Sequence, residues 1–192
     1  MTVAKRVYFA FDYEDVSDFR ANVVRKHNFT GGVEKAGYFD ASIWEEAKKK
    51  DATTLKRLIN AELENTSVTA ILIGSQTYAR RWVRYEIVKS IERGNKVIGI
   101  HINSILDKNR QVKPLGPNPF DYLGLEISQD GSRGTPTVWD GTLWVYYQDL
   151  DAFSIAQQPW DKRGKQFQLS HWLAFYDWVA NDGYNNFSSW IQ

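Results

Sequence analysis

Apolar residues along this chain change spacing from one stretch to the next, and the changes mark its elements. Val7-Tyr8-Phe9-Ala10-Phe11 is short, aromatic and β-prone, and reads as a first strand. Asp12-Tyr13-Glu14-Asp15 then offers acceptors suited to a helix N-terminus, and Val16, Phe19, Val23 and Val24 recur at helical spacing up to His27. Gly31-Gly32 breaks that pattern. Ala36 to Phe39 reads as a short edge strand, and Asp40 or Ser42 caps a helix through Ile43, Trp44 and Ala47. Asp51 caps a further helical stretch carrying Leu55, Leu58, Ile59 and Leu63. Val68-Thr69-Ala70-Ile71-Leu72-Ile73 is a continuous apolar, β-rich run, the pattern of a strand buried on both faces. A helix from about Arg80 to Arg93 stops at Gly94 with cations in its last turn, and Lys96 to Ile102 is another buried strand. Strand and helix alternate throughout, which predicts a parallel sheet flanked by helices.

After Asn103 the pattern changes. Residues 104–124 hold three of the five prolines and two glycines, including Gly116-Pro117-Asn118-Pro119, and read as a long ordered loop. In the run Thr137 to Tyr146, Asp140-Gly141 separates two β-prone arms, a strong hairpin signal. A final helix is expected near Gln168 to Ala180, with Leu169, Trp172, Leu173, Tyr176 and Val179 on one face and Asn181-Asp182-Gly183 as its stop. The expected organisation is one domain over 1–192, an α/β core over 1–124 and a C-terminal extension over 125–192.

Composition narrows the chemistry. The 192 residues can bury a sizeable core. A net charge of +1 gives no nucleic-acid footprint. No stretch approaches the roughly 18 apolar residues of a membrane span, and the start carries no signal-peptide core, so neither a membrane nor a nucleic-acid partner is expected. The chain has no cysteine, which removes disulfides, thiolate catalysis and cysteine-ligated metals, and suits a cytoplasmic protein. The three histidines, His27, His101 and His171, show no metal-ligand spacing, so no metal is expected, and His101 reads as a satisfied core histidine. Eight Trp, ten Tyr and ten Phe supply large packing units.

The strand ends carry the candidate site. Phe11 and Asp12 follow the first strand, Gly74 and Ser75 follow the run ending at Ile73, and Asn103 follows the run ending at Ile102. In a parallel sheet these residues gather at one edge, where open α/β sheets bind ligands. Trp82 and Glu86, four residues apart, share a helix face beside that edge. A carboxylate next to an indole in a cleft can steady a developing positive charge. The same pair also reads as a solvated glutamate one turn from a half-buried tryptophan. Ser75 suits a cap or a ligand hydrogen bond better than a nucleophile, since no Gly-x-Ser-x-Gly elbow surrounds it.

Several segments together resemble TIR-like domains: Arg6 to Tyr13, Leu72 to Tyr78, and Trp82-x-x-x-Glu86. The closer resemblance is to the ThsB family of the bacterial Thoeris anti-phage system, through Phe39 to Ser42, Arg80 to Glu92, Gly99 to Asn103, Gly116 to Gly124 and the ending from Tyr176 to Trp190. It implies a flavodoxin-like TIR core with a C-terminal extension containing a β-hairpin and a helix. It also implies an enzyme that consumes NAD⁺ as substrate, without a separate cofactor, and forms a cyclic ADP-ribose isomer after sensing an unidentified phage trigger. That product would activate a partner effector, ThsA. Glu86 matches the family's catalytic glutamate, while Phe9, Phe11, Asp12, Ser75, Trp82 and Asn103 are the pocket residues the resemblance and the strand ends suggest. The segment from Gly31 to Trp44 departs from the BB loop of animal TIR domains. Two readings follow, a signalling enzyme and a non-catalytic TIR-like interaction module, because TIR folds serve both uses. Assembly into a homo-oligomer is left open.

Overall fold

A computed structural model describes residues 5–17, 19–27 and 51–192. The expected strand at Ala36 to Phe39, the helix through Ile43, Trp44 and Ala47, and the Gly31 to Trp44 segment lie outside the described residues. Strands β1 (Val7–Phe11), β2 (Val68–Ile73) and β3 (Lys96–His101) form a parallel sheet, with Val7 opposite Val68 and Val68 opposite Lys96. A late strand, β9 (Phe175–Asp177), joins the far side of β3, also parallel, giving the order β1-β2-β3-β9. Every residue of β2 is buried, as expected for its uninterrupted apolar run.

Helices cover both faces of this sheet. Tyr8, Ala10, Ile71 and Ile73 pack on one face with α3 (Ala52–Leu63) and α4 (Arg81–Glu92). Val7, Ala70, Leu72 and Ile100 pack on the other with α2 (Arg20–His27) and α5 (Gly183–Trp190). Local chemistry sets the ends. Asp51 caps α3 by accepting the Thr54 backbone N–H at 2.7 Å. Gly94, at φ 78°, closes α4 in the left-handed conformation.

The helix expected up to His27 is divided into α1 (Glu14–Ser17) and α2. Phe19 sits between them at φ 65° and 53% exposed, so its helical spacing did not mark a core position.

A second, antiparallel sheet has the order β6-β5-β4-β8, with β7 also on β5. It is built from β4 (Leu123–Ile127), β5 (Arg133–Trp139), β6 (Trp144–Tyr146), β7 (Phe153–Ser154) and β8 (Gln166–Gln168). β5 and β6 are the Asp-Gly hairpin, with Trp139 opposite Trp144. Leu125, Ile127, Tyr147 and Phe153 extend the core beside α4.

The loop from 104 to 118 is ordered by a buried arginine. Arg20, 1% exposed, donates from Nε to the Ile105 carbonyl at 2.9 Å and from an Nη to the Gln111 carbonyl at 2.8 Å. Gly116 brings the loop onto the sheet edge, where a Cβ would fall 2.0 Å from the Gly74 carbonyl oxygen. Backbone cannot retreat as a side chain can, so Gly116→Ala is expected to cost about 1–3 kcal/mol of stability. A denaturant midpoint equal to that of the parent would show that the loop does not press on Gly74.

The final helix is not where the periodicity placed it. Residues 166–177 form β8, a 3₁₀ turn over Leu169–His171 and β9. Asn181-Asp182-Gly183 opens α5 rather than ending a helix: Asp182 stands at its N-cap with φ 49° and Gly183 is its first residue. Leu169 is buried and Tyr176 faces the core, but Trp172 and Val179 are exposed, so the expected stripe is not one face. The open edge of β3 captured Phe175 to Asp177, and sheet pairing overrode a 3.6-residue spacing of residues that are also good strand formers.

Candidate active site

α4 begins at the carboxyl edge of the sheet and runs back across it. Arg80, its N-cap, donates from Nε to Asp12 Oδ2 at 2.6 Å, tying the helix start to the end of β1. Phe11, Asp12, Tyr13, Arg80, Arg81 and Trp82 line a cavity of about 210 Å³ at this junction. The Arg81 guanidinium lies 4.8 Å from the Trp82 ring centre and holds Asp149 through bonds of 2.9 and 2.6 Å. That pair fastens the loop after β6 to the helix start, and with Lys56 it pulls the Asp149 carboxyl down to about 2.

Glu86 lies one turn deeper than Trp82. It is 5% exposed, and its Oε1 accepts the Tyr8 hydroxyl at 2.5 Å. Tyr8 is the second residue of β1, so the carboxyl sits beneath the sheet edge rather than on it. Glu86 Oε2 has no hydrogen-bond partner among the described residues. Burial pushes the Glu86 carboxyl up to about 8, against a smaller opposing effect of the Tyr8 bond, which favours the charged form. Burial also pushes the Tyr8 phenol well above its ordinary value, with the Glu86 charge adding to it, so Tyr8 remains a donor.

This shift has a stability consequence. The folded state holds a proton on Glu86 that the unfolded chain releases near 4.5. Its contribution is fully present below 4.5 and is lost as pH rises through about 8. The parent is therefore expected to lose stability relative to Glu86→Gln across that window, by about 1.4 kcal/mol per pH unit at most. Denaturant unfolding of both proteins at several pH values measures it, and parallel curves would show that Glu86 is not shifted.

The other expected site residues fall into two further places. Ser75 and Asn103 meet at the carboxyl edge, where Asn103 Nδ2 donates to Ser75 Oγ at 3.1 Å and Asn103 Oδ1 accepts the Gly116 N–H at 3.4 Å. The ring of Phe9 points to the opposite face from Tyr8 and stacks 6.1 Å from Phe187 of α5, as strand alternation requires. Phe11 shares that face but borders the cavity because it ends the strand, with Arg25 5.2 Å above its ring. The structure thus gathers Phe11, Asp12 and Trp82 above Glu86, pairs Ser75 with Asn103, and sets Phe9 apart. His101 is a core residue, 8% exposed, but its Nδ1 has no hydrogen-bond partner among the described residues, so it is not fully satisfied there. Sequence reasoning missed Tyr8, Arg80 and Arg81. The period-2 alternation of β1, which separates Tyr8 and Ala10 from Phe9 and Phe11, was the available signal for Tyr8.

A parallel sheet with helices on both faces, and a Trp-x-x-x-Glu helix over its edge, defines a flavodoxin-like TIR fold. Residues 8–107 match the family described as Thoeris protein ThsB, TIR-like domain. A Bacillus cereus (strain MSX-D12) protein with the provisional name cyclic ADP-D-ribose synthase ThsB1 is 57% identical over 192 residues, spanning 99% of this chain and 100% of that one. The chain belongs to the Thoeris ThsB family.

Proposed function

We propose that this chain is an anti-phage signalling enzyme that cleaves NAD⁺ at the nicotinamide–ribose bond and makes a cyclic ADP-ribose isomer. The observation that carries this is the end-to-end kinship with the B. cereus synthase. The site is compatible with the chemistry. Nicotinamide leaves with the bonding electrons, and positive charge develops at the anomeric carbon. A carboxylate placed against that ribose stabilises the charge without having to reorganise during the reaction. Glu86 is the residue proposed for this role. Trp82 and Phe11 offer ring faces for the two bases, and Arg80 and Arg81 offer charge for the diphosphate. A ribose hydroxyl of the same molecule then takes the anomeric carbon in place of water and releases a proton. NAD⁺ is thereby converted to nicotinamide and a cyclic ADP-ribose isomer. Proximity and exclusion of water favour closure over hydrolysis.

In this reading the product diffuses to a ThsA effector, and the chain works as one TIR-like unit whose extension braces the catalytic helix through Asp149. Among the described residues no helix is long and apolar enough to cross a membrane. The test is mass spectrometry of lysates from phage-infected cells expressing the chain. A product with the mass of cyclic ADP-ribose, present only after infection, is expected. Protection against phage with no such product would favour the interaction module.

A further inference from the structure

The geometry points to Tyr8 as a positioning residue for Glu86, holding one carboxyl oxygen so that the other is left for a ribose hydroxyl. This rests on the proposed role of Glu86. Three observations carry it. The Tyr8 hydroxyl reaches Glu86 Oε1 at 2.5 Å across 78 residues of sequence, from a side chain only 2% exposed. Oε2 makes no hydrogen bond with a described residue. Glu86 follows Trp82 by four residues, about 6 Å along the helix axis, and Trp82 lines the cavity at the sheet edge.

A carboxyl in such surroundings has two states, and chemistry at a cationic centre needs the ionised one. Burial opposes ionisation, and a donated hydrogen bond supports it. Tyr8 is the donor that the fold supplies. Around the pair, Glu62 of α3 is the other acidic group that acts on Tyr8, and it disfavours a phenolate. Burial and Tyr8 are what act on the Glu86 carboxyl itself. The Ser90 hydroxyl donates at 2.6 Å to the Glu86 backbone carbonyl and fixes the helix rather than the acid. Tyr8 therefore sets both where the carboxyl points and how readily it ionises, without touching the substrate.

The test is Tyr8→Phe, which keeps the ring and removes the hydroxyl. In the purified full chain labelled with ¹³C at glutamate carboxyls, the Glu86 signal is identified by its loss in Glu86→Gln. Its NMR titration midpoint is expected near 8 in the parent. In Tyr8→Phe it is expected to rise by about one unit or more, the shift that losing a charge-assisted bond produces. In infected cells, Tyr8→Phe is expected to lower product at least about tenfold, as the ionised fraction falls. An unmoved midpoint in a folded Tyr8→Phe protein overturns the inference. So does a parent midpoint in the ordinary carboxylate range. Tyr8→Phe in the Glu86→Gln background guards against a merely structural effect, since there it should leave the pH dependence of stability unchanged. The two ideas fail separately. If Glu86→Gln still makes product, the role of Glu86 is wrong whatever Tyr8 does to the titration. If Glu86 is required and Tyr8→Phe changes neither midpoint nor yield, only the role of Tyr8 is lost.

Discussion

Glu86→Gln is expected to yield a folded protein that makes no cyclic ADP-ribose product in phage-infected cells. The substitution keeps the volume and shape of the side chain. Its amide oxygen can still accept the Tyr8 hydroxyl that Oε1 now accepts at 2.5 Å, so the buried tyrosine keeps a partner. What is lost is the capacity to ionise to a carboxylate, the state that chemistry at a cationic centre needs. Removing one preorganised stabilising group from a developing ionic centre typically costs a factor of about 10² to 10³. That would take the product below detection against the parent. Mass spectrometry of infected lysates measures the product, and circular dichroism with a denaturant midpoint checks the fold. Product at the parental rate would sink the assignment of Glu86. Protection against phage by both proteins, with product from neither, would instead identify an interaction module.

Trp178→Ala is expected to cost about 3–5 kcal/mol of stability, the range for emptying a large buried aromatic site. Trp178 is fully buried and is the largest such side chain among the described residues. Its ring lies 5.3 Å from Tyr184, 6.1 Å from Phe187 and 6.3 Å from Trp190, all on α5, and 5.6 Å from His27 at the end of α2. Trp190 in turn stacks on Tyr176 of β9 at 4.2 Å with the planes 1° apart. The tryptophan therefore joins the last helix, the edge strand and α2 into one layer over the sheet face opposite Glu86. Urea unfolding with near-ultraviolet circular dichroism tests this. A loss below about 1 kcal/mol would mean that the cavity collapses at little cost and that α5 stays docked without it.

The parts of the fold that follow from local chemistry were legible. β2 is a run of six residues that only a doubly covered strand can bury. α3 announces its start with Asp51, α4 its end with Gly94, and the hairpin its turn with Asp140-Gly141. The ThsB kinship was also legible, because many short segments in a fixed order are specific where a single Trp-x-x-x-Glu is not. The second sheet was only partly legible. Its hairpin signal is local, but β4 and β8 are defined by pairing between Leu125 and Phe167, and nothing in either stretch names the other.

The late aromatic run shows why pattern failed there. Leu169, Trp172, Leu173, Tyr176 and Val179 have the spacing of an amphipathic helix and the composition of a strand. The spacing predicts a helix, but pairing prevails, because β3 has an edge to cover. The true helix, Gly183–Trp190, was hidden by Asn181-Asp182-Gly183, a sequence that stops a helix as readily as it starts one.

The sequence by itself determined the alternating α/β layout, most of the turns and caps, and the family, and it singled out Glu86 as a candidate acid. These rest on contacts within a few residues or on the order of segments. Only the tertiary structure decided that Glu86 is buried one turn below the cavity and that its partner is Tyr8. It also decided that Phe9 belongs to the opposite face and that residues 175–177 complete the core sheet. Each of these depends on groups tens of residues apart meeting in a low-dielectric interior. Burial there sets a carboxyl's ionisation, and a vacant sheet edge outbids local helical spacing.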